Sequence, residues 1–324
     1  MMRDIKWSQQ TIVAALSVAL FIGLSVTLPG FLTGPNLLAL LQSVAVLGLL
    51  AVGMGIIVIG RGIDLSMIAT LAIPPALMLQ MVQDGHDPAA AFAAALVLTL
   101  IFGLINGWLI TYADVPALFV TLASGIFLSG LGQVAFFSID IVLWPARLDA
   151  LNWLGQSSLL GMPVPVIVFA AAVALMGLIL NRTKLGRFVY ASGDNPATAR
   201  ISGIPTRPMT VLIYVFGAMI GAFAGLVMAA TLNTMPTRVF NSTLIYDVIL
   251  VVVLGGIGLS GGRGGTSSVL IGTLLIGMLL NAMTLMNASF SVQNLVKGFI
   301  LLTAVIADSI INPRNEETAQ QGDI

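Results

Sequence analysis

Few residues in this chain could do chemistry, and most of those stand in or beside long apolar runs. Asp64, Asp247 and Lys297 are charges with apolar neighbours on both sides, and a charge in that setting needs a partner or water. Asp247 and Lys297 each fall some eight residues inside a run, about 12 Å deep at 1.5 Å per residue. They could therefore pair, or each could face an open vestibule alone. Asn106, Thr121, Gln133 and Asn281 are uncharged polar residues in similar surroundings. For any of them a hydrogen bond between helices competes with contact to a passing solute. The constellations expected of an enzyme are missing. His86, the sole histidine, sits between Asp84 and Asp87 in a short polar turn and reads as a solvated loop residue. The absence of cysteine excludes disulfides and thiolate metal sites. No G-x-x-x-x-G-K-[ST] loop occurs, and the glycine run that ends near Arg263 lacks the Lys-Ser/Thr such a loop requires. If ATP drives anything here, another subunit binds it. No cofactor and no enzymatic activity are expected of this chain.

The second chemical feature is a polar stretch, 181–208, NRTKLGRFVYASGDNPATARISGIPTRP. It carries Arg182, Lys184, Arg187, Arg200 and Arg207. Pro196 suits the first turn of a short helix over about 195–202, and Gly203 followed by Pro205 and Pro208 suits its end. The punctuation favours a folded docking element over a plain basic loop.

These residues must be positioned by membrane-spanning helices. The chain of 324 residues is 58% hydrophobic and only 8% charged, whereas soluble domains carry about 25% charged residues. Its formal net charge is zero, which points away from nucleic acid. At about 20 apolar residues per crossing, ten spans are predicted: 11–28, 37–59, 65–82, 89–112, 116–137, 163–180, 209–230, 239–259, 266–286 and 289–311. The first is read as uncleaved, because no cleavage site with a polar mature region follows it. An amphipathic segment, 138–162, with Trp144 and Trp153, suits an outer membrane–water interface. With both termini inside, Arg3, Lys6, Arg61, the five loop residues, Arg263 and Arg314 all face the cytoplasm, while Arg147 and Arg238 face outward. That bias obeys the positive-inside rule. It makes 182–208 a cytoplasmic loop suited to docking a soluble partner, and 312–324 a cytoplasmic tail of a single domain, 1–324. Asp308 reads as interfacial at the inner end of the last span.

Glycine runs interrupt the spans. The segment from Gly255 to Gly265 holds too many glycines to continue a helix. Gly60-Arg61-Gly62-Ile63-Asp64-Leu65-Ser66 looks like a second break at the same face. Irregular backbone at such depth must be shielded by protein or water. The two share a G-x-x-L-S cadence, so an internal repeat is possible.

Several of these segments together resemble the permease subunits of sugar ABC importers of the ribose, xylose, arabinose and galactose type, among which are autoinducer-2 permeases. Gly62-Ile63-Asp64-Leu65-Ser66 is similar to that family's G-G-I-D-L-S-V-G, with Arg61 in place of a glycine and Met67-Ile68 in place of Val-Gly. Asn106-Gly107 and the stretch from Val115 to Leu122 resemble N-G followed by P-x-F-I-x-T-L. Thr183 to Arg187, Gly193 to Ala197 and Gly203-Ile204 resemble T-x-x-G-R…G-G-N-x-x-A, with Asp194 as a departure. Leu254 to Gly264 is similar to V-G-G-x-S-L-x-G-G-x-G. The resemblance covers nearly the whole chain. It implies an all-α polytopic bundle in a bacterial inner membrane, paired with a second permease copy or paralogue. It also implies separate ABC ATPase subunits and a periplasmic sugar-binding protein. Arg187, Gly193, Asp194, Asn195, Ala197, Ala199, Arg200 and Gly203 would then form the ATPase-coupling element. Asp64, Asn106, Phe119, Thr121, Asp247 and Lys297 are the candidates for lining the pathway. An ion-coupled secondary transporter or a channel for a small neutral solute is the alternative; the former would need a protonatable or sodium site near the midplane.

Overall fold

The computed structural model describes residues 9–311, so Arg3, Lys6, Arg314 and the tail 312–324 lie outside the described residues, as does the side chain of Asp308. Thirteen helices occur among the described residues: α1 (Gln9–Thr27), α2 (Gly34–Ile59), α3 (Met67–Gln83), α4 (Pro88–Tyr112), α5 (Ala117–Leu131), α6 (Trp153–Gln156), α7 (Val164–Arg182), α8 (Lys184–Asp194), α9 (Pro196–Ile201), α10 (Thr206–Leu232), α11 (Leu244–Leu254), α12 (Thr266–Leu285) and α13 (Phe290–Ile311). Seven of them (α1, α2, α4, α5 with the π-helical turn Gly132–Phe136 that continues it, α7, α10 and α12) are long and apolar enough to cross a membrane; α3, α11 and α13 are shorter apolar helices. The chain is a multi-pass helical membrane protein.

α2 is the hub. Its apolar stretch is 83% buried, against 11% for α1, and α7, α10, α11 and α12 all pack on it. A helix apolar on every side can be buried on every side, and the run from Leu47 to Ile59 has that character. α3 is equally enclosed. Pro74 and Pro75 lie inside it, and Pro75 cannot donate to the Leu71 carbonyl one turn back. That carbonyl lies against Gly225 of α10, where a Cβ would find no room. Gly217 meets Ile57 of α2 in the same way, and Gly221 meets Thr70 of α3. The i, i+4 glycines of α10 thus set its close approach to the two central helices.

The span expected over 239–259 is shorter than its hydrophobicity suggests. A 3₁₀ turn occupies Thr237–Asn241, and α11 runs only from Leu244 to Leu254 before the glycine run ends it. The amphipathic segment 138–162 is a chain of short pieces rather than one helix. It holds a 3₁₀ turn at Ala146–Leu151, then α6, and three very short strands, β1 (Ile141–Leu143), β2 (Ser158–Leu159) and β3 (Met162–Pro163). β1 pairs antiparallel with β4 (Thr234–Pro236), and β2 with β3. Trp153 is exposed and Trp144 partly buried.

Both predicted breaks end their helices in one geometry. At the end of α2, the Arg61 N–H donates to Val58 O (2.9 Å) and the Gly62 N–H to Ile57 O (2.8 Å), with Arg61 at φ 67°. After α11, Gly256 N–H donates to Val253 O (3.0 Å) and Ile257 N–H to Val252 O (3.1 Å), with Gly256 at φ 90°. Each is a Schellman cap with its left-handed residue just past the helix. The caps equate Arg61 with Gly256, one residue out of step with the G-x-x-L-S cadence.

Candidate functional site

The polar stretch folds into two helices, not the one expected. Thr183 opens α8 by accepting from the Gly186 N–H (3.2 Å). Asn195 ends it and opens α9, its Oδ1 accepting from the Thr198 N–H (2.9 Å). Such caps satisfy donors that a helix start leaves orphaned. The single expected helix over about 195–202 corresponds to α9 (Pro196–Ile201). α8 is hidden by its composition: one whole face of it is polar, so it forms no long apolar run of the kind that marks a span. Gly203 stands at φ 81°, and the Ile204 N–H donates back to Ala199 O (3.0 Å), closing α9.

The predicted coupling residues divide between anchor and face. Ala199 is buried and pins α9 to the body, whereas Ala197, Arg200 and Gly203 are exposed. Arg187 is exposed on α8, as is Asp194 at its end. Gly193 is buried where α8 meets both breaks: a Cβ there would strike the Ile59 carbonyl and the Gly262 amide. Those two groups are bonded to each other, Gly262 N–H donating to Ile59 O (2.8 Å). That bond completes the end of α2, since the carbonyls of Ile56, Ile57, Val58 and Ile59 all find donors beyond the helix. The half-buried Tyr190 adds a second stitch, its hydroxyl donating to Gly264 O (2.7 Å); burial raises its pKa above the ordinary tyrosine value, so it stays a donor. Ile201 is the residue that sequence reasoning missed. It is 90% exposed on α9 beside Arg200. An apolar side chain set between Arg200 and Ser202 was the available signal.

The break between α2 and α3 is enclosed in protein. Asp64 is fully buried and accepts from the Ser66 N–H (2.8 Å) and from the Ser66 hydroxyl, at the N-terminus of α3. That end of a helix stabilises a carboxylate. Asn106 of α4 donates to Ser66 Oγ (2.9 Å), and Thr121 of α5 accepts from the Leu65 N–H (3.0 Å). The buried Tyr214 of α10 donates to Ile63 O (3.3 Å). Three helices therefore satisfy the backbone and side chains of one irregular segment, as low-dielectric surroundings require. Asp64, Asn106 and Thr121, singled out separately in the sequence, form one cluster. Phe119 lies apart from it, exposed on α5.

Asp247 of α11 and Lys297 of α13 meet. Lys297 Nζ stands 2.9 Å from Asp247 Oδ1 and donates to Oδ2 (3.2 Å) and to the Thr243 hydroxyl (3.0 Å). Both side chains are about nine-tenths buried. Gln133 donates to Thr237 Oγ1 (2.7 Å), and Asn281 exchanges hydrogen bonds with Asn36 (2.9 and 3.1 Å). No group of three or more metal-binding side chains occurs among the described residues.

The chain is similar in sequence to known transport permeases. Residues 36–305 match the family model described as "Branched-chain amino acid transport system / permease component". The ribose import permease protein RbsC of Bacillus subtilis (strain 168) is 36% identical over 290 residues, 89% of each chain. The L-arabinose transport system permease protein AraH of Escherichia coli (strain K12) is 32% identical over 303 residues, 93% of this chain and 90% of its own. The L-arabinose ABC transporter permease protein AraH of Azospirillum brasilense is 30% identical over 304 residues, 94% of this chain and 88% of its own. Comparison with solved structures returns no match. With a family match across most of the chain and relatives aligned nearly end to end, the chain belongs to this family of transport-system permease components, beside its ribose and arabinose members.

Proposed function

We propose that the chain is the membrane-embedded subunit of an ATP-driven, binding-protein-dependent importer that admits a monosaccharide to the cytoplasm of a bacterium. In this reading the seven long and three shorter apolar helices are ten spans of the inner membrane, with both termini cytoplasmic. The partners are a second permease copy or paralogue, ABC ATPase subunits that bind and hydrolyse the ATP, and a periplasmic sugar-binding protein. The chain itself binds no cofactor and catalyses no reaction.

The observation that carries the reading is the α8–α9 element. Its outer face presents Ile201 and Arg200 to a partner, and its inner end is tied at Gly193 to the ends of both broken segments. A rigid body docked on an ATPase would pass closure of that motor to α2 and α12. Coupling between distant sites needs such packed, contiguous elements. The broken segments would then act as the joints of the pathway, and the solute would be handed over by the binding protein as the permease turns outward.

The names of the relatives, ribose and arabinose permeases, support a sugar; the family description supports a second reading, a branched-chain amino acid. The buried charges favour the sugar. Asp247 and Lys297 neutralise one another, and Asp64 is occupied by Ser66 and the start of α3. Neither that pair nor the enclosed Asp64 is open to a solute, whereas selective sites for charged solutes use fixed countercharges.

The test is uptake of labelled ribose, arabinose and leucine by cells that make this chain with its neighbouring ATPase and binding protein. ATPase-dependent uptake of one pentose or hexose is expected. Ile201→Asp should cut uptake at least tenfold while the permease remains in the membrane, because a buried carboxylate would replace an apolar anchor. Uptake that persists after the ATPase is deleted would reject the proposal.

A further inference from the structure

Gly103 and Gly107 of α4 face the backbone of α10 directly. A Cβ on Gly103 would lie 2.7 Å from the Cα of Val215, and one on Gly107 would lie 2.6 Å from the Cα of Val211. This glycine contact draws the two helices together. The larger side chains to one side of it are left standing as two banks. Leu104 and Trp108 rise from α4, and Leu212 from α10, around an apolar furrow of about 930 Å³ floored by Val211 and Val215. Leu104, Trp108 and Leu212 are all about half exposed.

One end of the furrow is different. Trp108 stacks on Tyr112 with ring centroids 6.4 Å apart, and the guanidinium carbon of Arg207 lies 5.4 Å from the Tyr112 centroid. A tryptophan–tyrosine pair marks the level of lipid headgroups. The ring holds the arginine by cation–π attraction while its N–H edges stay free to donate. Arg207 has no acidic partner among the described residues. It sits in the first turn of α10, where the helix dipole also favours an anion. The surrounding stretch, 181–208, holds five basic residues and a single acid, Asp194.

We infer that this furrow is a binding site for an anionic glycerophospholipid, with one acyl chain between α4 and α10 and the phosphate on Arg207. The charge decides the occupant. A zwitterionic lipid would bring its own cation toward the guanidinium, and a second copy of this chain would have to bury Arg207 against an equally basic surface. The site lies where α10 emerges from the α9 turn, so a bound lipid would brace the foot of the proposed coupling element. The inference rests on the chain spanning a membrane, and neither on the solute nor on the motor.

The experiment reads lipid binding rather than transport, so its failure would leave the importer reading standing. The full chain carrying Trp7→Phe, Trp144→Phe and Trp153→Phe keeps Trp108 as its only tryptophan. It is reconstituted in phosphatidylcholine vesicles containing brominated phosphatidylglycerol or, separately, brominated phosphatidylcholine. Trp108 emission should be quenched with about a fivefold preference for phosphatidylglycerol, the factor expected of one basic residue near a lipid surface. Arg207→Gln should abolish the preference, and Arg238→Gln, at the other end of the molecule, should leave it unchanged. If Arg207→Gln does not reconstitute, Tyr112→Leu, which removes the ring under the guanidinium, should weaken the preference instead. Equal quenching by the two lipids in the otherwise native chain would overturn the inference. So would a preference that survives Arg207→Gln, or cross-linking of two copies through Leu212→Cys together with loss of quenching by either lipid.

Discussion

Asp247 and Lys297 show how much rests on single buried charges between apolar helices. Each is enclosed, and each has the other as its only ionic partner among the described residues. Removing one partner of a buried pair leaves an uncompensated charge, at about 3–5 kcal/mol, whereas removing both together costs much less. Asp247→Asn and Lys297→Met should therefore each lower the melting temperature of the detergent-purified permease markedly. Asp247→Asn with Lys297→Met should be milder than either, and the reversed pair, Asp247→Lys with Lys297→Asp, should recover part of the loss. Additive losses in the double variants would show that the contact contributes nothing of its own. Asp64 offers a contrast, because its carboxylate is held by a neighbouring serine and a helix end rather than by a cation.

At the scale of the element, the two glycines of the α8–α9 unit make opposite demands. Gly203 needs its left-handed backbone but has open space around it. Gly203→Ala should cost only about 1 kcal/mol of strain. Gly193 is in ordinary helical backbone, yet a methyl there collides with a carbonyl and an amide that already bond one another. Backbone cannot move aside as a side-chain tip can, and overpacking of even flexible surroundings costs about 1–3 kcal/mol. Gly193→Ala should therefore separate α8 from both breaks and abolish solute-stimulated ATP hydrolysis in the reconstituted transporter. Gly203→Ala should retain most of it. The reverse order of severity would mean that the joint at Ile59 and Gly262 is not what carries motion from α8 inward.

For the whole molecule, the prediction concerns sidedness. The native chain has no cysteine, so a single introduced thiol reports its own location without further engineering. Leu160 is 98% exposed in the β2–β3 turn, and Ile201 is exposed on α9. In intact spheroplasts Leu160→Cys should react with an impermeant maleimide, and Ile201→Cys only after the membrane is opened. The opposite pattern would invert the molecule and remove the coupling role of α9.

Hydropathy alone determined that this is a chain of apolar helices, because the bilayer admits few other structures and their minimum length is set by its thickness. Glycine and proline spacing likewise marked both breaks and the position of α9, since those residues act through local backbone geometry. The possible meeting of Asp247 with Lys297 could be read from equal depth in two runs. Other features depended on folding in three dimensions. That Asp64 is shared with Asn106 and Thr121, that Gly193 presses on Ile59 and Gly262, and that α11 ends after eleven residues are facts of contact between segments far apart in sequence. Local preferences act over a turn or two of helix. Which carbonyl lies opposite which glycine is decided only when the helices pack.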